Sequence, residues 1–275
     1  MSKYDKALTV FAPDGNLFQV QYAFEAVEKG TSTIGIRGKD CVILGVEKKT
    51  EVKLQDPKTI KKILPIDEHI SMTFAGLQAD ARILANRARL ECQSYRYNME
   101  DVPSVDYIAK YIAKMQQKYT QRNSVRPFGC SVLVIGFDEE QKAPRLLLTE
   151  PSGAYSSWKA HAVGRNSKSL KTYLENNYEA DMEEDKALKL TIETLLESVE
   201  SEKHIEIAVM RGNQKTERID SETIEKIVSE IKKEREEQEK RKEEQKAKET
   251  EEKEKQEIMN DNPLYQKNTD EDEGV

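Results

Sequence analysis

Two nearly unbroken apolar runs, Thr33-Ile34-Gly35-Ile36-Arg37 and Val42-Ile43-Leu44-Gly45-Val46, limit the fold of this chain more tightly than any other feature. A strand with one wet face alternates apolar and polar residues, whereas a continuous β-branched run suits a strand covered on both faces. Gly38-Lys39-Asp40 between the runs reads as a turn, which makes them an antiparallel pair. Further strands are expected from Ile60 to Leu64 and from His69 to Phe74, around Pro65-Ile66-Asp67. Others are expected over Cys130 to Phe137, Arg145 to Thr149, Ala154 to Val163, and His204 to Val209. Helical spacing separates these strands in pairs. Ala81, Leu84, Ala88, Cys92 and Tyr95 line one helix, and Val105, Ile108, Ala109 and Ile112 a second that starts near Pro103. Leu170, Tyr173 and Leu174 follow a Ser167 cap in a third, and Leu188, Ile192, Leu195, Leu196 and Val199 mark a fourth. Strand runs parted by helix pairs, without strict βαβ alternation, predict an α+β fold: two antiparallel sheets face to face, with helices outside.

The first thirty residues carry structure of their own. Pro13-Asp14-Gly15 reads as a turn, and Asn16 as the N-cap of a helix with Leu17, Val20, Ala23, Phe24 and Val27 on its apolar face. Gly30 ends it. A signal peptide would show a positive start, an unbroken apolar run and a small-residue cleavage site, and this segment shows none. At the other end, Ile224, Ile227, Val228 and Ile231 form a last apolar stripe under an Asp220 or Ser221 cap. Lys232 to Glu257 is nearly all Lys, Arg, Glu and Gln, and the chain closes on an acidic Asp270-Glu271-Asp272-Glu273. The expected organisation is one domain over 1–231, whose first thirty residues form a distinct segment, and a charged, partly helical or disordered tail over 232–275.

Charge and cysteine usage exclude several function classes. A net charge of −7 argues against a general nucleic-acid binder, which needs a basic face. Cys41, Cys92 and Cys130 are far apart and form no CxxC pair, so buried free thiols are expected, with neither disulfide nor zinc site. His69, His161 and His204 lack ligand-spaced partners and read as core or rim histidines. Gly35-x-x-Gly38 is too short for a phosphate loop and reads as strand-end glycines. No apolar run approaches the ~18 residues of a membrane span. Neither metal, cofactor, nucleic acid nor membrane is expected, and the reduced thiols point to an intracellular setting.

The N-terminal run Tyr4-Asp5-x-Ala7-Leu8-Thr9-Val10-Phe11-x-Pro13-Asp14-Gly15-x-Leu17-Phe18-Gln19-Val20-x-Tyr22-Ala23 resembles the signature of proteasome α-type subunits. The likeness continues through Ala79-Asp80-Ala81-Arg82, Tyr119-Thr120-Gln121, Arg126-Pro127-Phe128-Gly129 and Glu150-Pro151-Ser152-Gly153. Asn86-Arg87-Ala88-Arg89-Leu90-Glu91-Cys92-Gln93-Ser94 narrows it to the eukaryotic type-7 branch. Two departures bear on the turn: Ala12 where the family usually has Ser, and Gln21 where it usually has Glu. Lys6 and Phe24 stand where relatives often carry Arg or another polar residue. The resemblance implies the four-layer αββα sandwich of N-terminal-nucleophile hydrolases.

It also implies two readings of function. In active β-type subunits a Gly-Thr bond is cut, and the freed threonine becomes nucleophile and, through its amine, base. Gly30-Thr31 and Lys62 stand in the matching places, so a processed threonine peptidase with Thr31 as nucleophile is one reading. Against it, Glu47 replaces the usual shorter Asp, Arg165 in Gly164-Arg165-Asn166-Ser167 replaces a Ser, and the leader looks retained, leaving Thr31 an amide. The favoured reading is a non-catalytic α-ring subunit of the 20S core, serving ring assembly, pore gating and regulator docking in ubiquitin-dependent degradation. Its implied partners are neighbouring α subunits in a seven-membered ring, β-ring subunits, and an ATPase regulatory particle or other activators bound through C-terminal tails. A gate cluster then falls on Tyr4, Asp5, Pro13 and Tyr22, and a tail pocket on Lys62, Gly30, Leu17 and Gly76. The implied location is the cytoplasm and nucleus.

Overall fold

The computed structural model describes residues 10–48, 54, 56, 59–138, 143–199, 205–212 and 215–235. Its elements are α1 (Phe18–Glu28), β1 (Thr33–Arg37), β2 (Cys41–Glu47), β3 (Leu64–Pro65), β4 (Ile70–Gly76), α2 (Gln78–Met99) and α3 (Val105–Gln121). After these come β5 (Cys130–Phe137), β6 (Pro144–Thr149), β7 (Tyr155–Ser157), β8 (Ala160–Val163), α4 (Ser167–Asn177), α5 (Glu184–Leu196), β9 (Ile205–Arg211) and β10 (Glu217–Arg218). Two five-stranded antiparallel sheets result, in the orders β10-β9-β2-β1-β8 and β3-β4-β5-β6-β7. The sheets pack on one another through β1 and β2 against β5 and β6. The pair α2 and α3 covers the outer face of the second sheet, and α4 and α5 cover the first. The expected αββα sandwich is the observed one.

Two-sided burial shows most clearly along β5. Cys130, Val132 and Val134 join α2 and α3 in one apolar cluster. Leu133, Ile135 and Phe137 join Val42, Leu44 and Val46 of β2 in another. A pleat with period two thus delivers one strand to two cores. Each large side chain so buried contributes roughly 1.5–3 kcal/mol relative to exposure.

Several expectations need correction. The run Ala154–Val163 is not one strand: β7 pairs with β6, whereas β8 pairs with β1 in the other sheet. Trp158 N–H still donates to Leu146 O at 2.9 Å, while Lys159 O already accepts from Arg37 N–H at 2.8 Å. The chain changes sheets between those two residues, a hand-over that alternation cannot reveal. Ile60–Leu64 is not a strand either; only Leu64 and Pro65 pair, with Met72 and Ser71. Gly35 lies inside β1, and a Cβ there would meet Leu146 Cδ1 of the facing sheet at 2.5 Å. It is a close-approach glycine rather than a strand end. The helix caps also shift by one residue. Leu17 caps α1 and Asn166 caps α4, both without a side-chain bond, and Asn16 donates instead to Asp14 Oδ2 at 3.0 Å.

The turn before α1 forms as expected, with Gly15 at φ +81°. Backbone groups close it: Gly15 N–H donates to Ala12 O at 2.8 Å and Ala12 N–H to Asn16 O at 2.9 Å. Ala12 is buried, so the turn holds without the hydroxyl that relatives carry. Cys41, Cys92 and Cys130 are buried free thiols, all pushed up by burial, Cys130 to about 12. His69 is buried, with Nε2 2.8 Å from Pro103 O, and His161 is buried against the Trp158 ring; His204 lies outside the described residues. The chain divides into two units, residues 1–228 and 229–275; of the second, 229–235 are described and are helical. The charged stretch expected over 232–275 lies almost wholly outside the described residues.

Two sequence motifs 46 residues apart meet in one ion pair. Arg126 Nη1 and Nη2 donate to the two oxygens of Asp80 at 2.6 and 2.9 Å, and Gly129 N–H donates to Oδ2 at 3.0 Å. Asp80 sits in the first turn of α2, so the pair ties that helix start to the entry of β5. Burial alone would raise the carboxyl, but the Arg126 fork and the Gly129 N–H outweigh it and hold it below the usual range. A depressed folded value means stabilisation that is complete above the unfolded value, about 3.9, and lost as pH falls through the folded one. Asp80→Asn is expected to cost about 2 kcal/mol at pH 7, with the difference from wild type closing below about pH 4, read by denaturant unfolding across pH.

Candidate functional site

The ends of three strands and the loop between a strand and a helix converge on Thr31. Gly30, Thr31 and Ser32 lead into β1, Glu47 closes β2, Lys62 precedes β3, and residues 164–166 lie between β8 and α4. Lys62 Nζ donates to Thr31 O at 3.1 Å and to Thr31 Oγ1. Around this pair the loop is pinned: Arg165 N–H donates to Gly30 O at 2.8 Å, and Ser32 Oγ–H donates to Arg165 O at 2.6 Å.

The buried Glu47 carboxylate has partners of its own. Ser32 N–H donates to Oε2 at 3.0 Å and Arg165 Nη2–H to Oε1 at 2.8 Å. Lys62 therefore shares the site with a carboxylate already matched, and among the described residues no ion pair reaches it. Burial pushes its ammonium down to about 8, with Glu47 opposing the shift, and the Phe74 ring lies 5.5 Å away.

A cavity of about 340 Å3 opens over this lysine, lined also by Lys29, Gly30, Thr31, Glu47, Lys48, Phe74 and Gly76. Glycine is required at both of its backbone walls. A Cβ on Gly30 would stand 2.2 Å from Gly76 N, and Gly76 has φ +107° with Gly129 O 2.2 Å from where its Cβ would be. Of the four pocket residues expected, three line this cavity; Leu17, half-buried at the N-cap of α1, does not. Of the gate cluster, Pro13 and Tyr22 are exposed, and Tyr4 and Asp5 lie outside the described residues.

Hydrolysis needs a base for the Thr31 hydroxyl, and the family's base is the threonine's own amine. In the unprocessed chain the Thr31 nitrogen is an amide joined to Gly30, with no basic lone pair, and the segment before it folds into α1. The Glu47–Arg165 pairing was missed from sequence. Its signal was present: of the two departures from a catalytic pattern, one lengthens a carboxylate and the other introduces a cation that can meet it.

An αββα sandwich with a threonine at the head of β1 and a buried lysine beside it defines the N-terminal-nucleophile hydrolase class. The chain belongs to the proteasome family: the family model for proteasome subunits matches residues 27–210, and the N-terminal signature of the A-type members matches residues 4–26. It is similar to "Proteasome subunit alpha type-7" of Dictyostelium discoideum, 55% identical over 236 residues, 86% of this chain and 94% of the relative. It is similar also to "Proteasome subunit alpha type-7-like" of Macaca fascicularis and "Proteasome subunit alpha type-8" of Mus musculus, each 52% identical over 239 residues, 86% of this chain and 95% of the relative. It is an α-type, non-catalytic subunit of the proteasome core, and the reading of a processed threonine peptidase is not favoured. Gly30→Ala is expected to lower stability by at least about 2 kcal/mol, because backbone rather than a flexible side chain meets the new methyl; thermal unfolding against wild type measures it.

Proposed function

We propose that this subunit occupies a seven-membered α ring, gates the axial pore, and receives the C-terminal carboxylate of an ATPase regulator or other activator in the Lys62 cavity. Peptide hydrolysis belongs to partner β subunits. The observation that carries this reading is a buried ammonium facing an open cavity, with its nearest carboxylate engaged by Arg165. A terminal carboxylate meeting Lys62 would form a charge-assisted contact in a shielded site, and Gly30 and Gly76 leave room for an incoming backbone. Tyr4, Asp5, Pro13 and Tyr22 are assigned to the gate on the family signature. Cytoplasm and nucleus are the proposed locations.

Lys62→Ala tests the pocket assignment. Regulator affinity is expected to fall by about 10- to 100-fold, equivalent to a charged hydrogen bond of roughly 1.5–3 kcal/mol, with ring incorporation unchanged. Unchanged affinity would remove Lys62 from this role. The pH dependence follows from the lowered ammonium value. The empty pocket holds its proton below about 8, so docking is full there and weakens as pH rises above it.

A further inference from the structure

We infer that Lys62 is also a nucleophilic lysine, whose amine condenses with small anionic aldehydes that enter the cavity, so that the site is open to covalent modification. Three features of the geometry support this. The amine is held in place by Thr31 O and Thr31 Oγ1 and lies at the wall of a cavity of about 340 Å3, roomy enough for a small aromatic aldehyde. Glu47, the one acidic side chain lining that cavity among the described residues, is engaged by Arg165 and by Ser32 N–H, so it does not pin Lys62 as an ion pair. The remaining charged lining among the described residues is cationic: Lys29 is exposed at the rim, and Lys48 is ion-paired with Glu206 at 3.8 Å. An aldehyde bearing a phosphate or carboxylate is therefore drawn in with its anion toward Lys29 and its carbonyl toward Lys62.

The step balances without a redox partner. The Nζ lone pair adds to the carbonyl carbon, and the carbonyl oxygen departs as water with the two amine protons. A C=N bond replaces C=O. Burial favours the reacting form, since an ammonium pushed down to about 8 is about a quarter neutral at pH 7.5, against roughly one part in a thousand for an ordinary lysine. Among the described residues, the charged groups that line the cavity with it are Glu47, Lys48 and Lys29; Glu47 opposes the shift, and Arg165 restrains Glu47.

The experiment uses the full-length chain in its assembled complex, treated with substoichiometric pyridoxal 5′-phosphate at pH 7.5 and reduced with borohydride. Peptide mapping locates the adduct. Lys62 is expected to carry at least about tenfold more label than the average lysine of the chain, with half-maximal labelling near pH 8. Pyridoxal, which lacks the phosphate, is expected to label it several-fold less. Arg165→Ser, which releases Glu47 toward Lys62, is expected to reduce labelling and move its midpoint to higher pH. Label spread over surface lysines with Lys62 spared would overturn the inference, as would an Arg165→Ser variant that labels like wild type. Because the readout is the adduct itself, loss of this result leaves regulator docking untouched, and loss of regulator docking leaves the adduct unexplained by it.

Discussion

A strand that hides both faces needs a layer on each side of it, and most of this molecule follows from supplying those layers. β1 and β2 present apolar residues in both directions, so a second sheet must cover one face and a helix pair the other. The second sheet has the same requirement and obtains its own helix pair. Close approach is limited by the largest side chains between layers, and this is where small residues matter. Gly35 admits Leu146 from the facing sheet, and Gly45 admits Thr191 and Leu195 from α5. The four-layer stack then fixes the strand ends that bring Thr31, Glu47 and Lys62 together.

Within that stack the ion pair of Glu47 and Arg165 decides the chemistry. A buried carboxylate without partners costs several kcal/mol, so the site needs a donor set for Glu47. Arg165 and Ser32 N–H provide it, and Lys62 is left to hydrogen-bond Thr31. In a peptidase the corresponding lysine and carboxylate would serve the nucleophile. Here the same positions yield a lysine-lined cavity beside an amide-bound threonine. An enzyme-like constellation is thus retained in outline, with its carboxylate engaged by Arg165 in place of Lys62.

A similar economy holds at the start of α2. Asp80 and Arg126 belong to separate motifs, each legible as a family marker and neither with an evident task when read alone. Folding shows one carboxylate accepting three hydrogen bonds at the junction of a helix start and a strand entry. The value of each motif lies in its partner.

Periodicity and residue type alone determined the class of fold, both helix pairs, most strands and the turn at Pro13-Asp14-Gly15, because these depend on neighbours within a few residues. Lys62 and Thr31 came into view through resemblance to the proteasome family, not through periodicity. Tertiary structure decided what a one-dimensional pattern cannot carry. The passage from β7 to β8 changes sheets without changing alternation, so it is invisible until Lys159 O is seen to accept from Arg37 N–H instead of staying with β6. The segment before Leu64 looks like a strand, yet it is drawn across to the first sheet by Lys62 on Thr31 and by Arg218 on Ile63 O. Leu17 carries a motif position but lies apart from the cavity that Gly30 and Gly76 enclose. Which charge meets Glu47 depends on residues 118 positions apart in the chain, and only packing brings them within 2.8 Å.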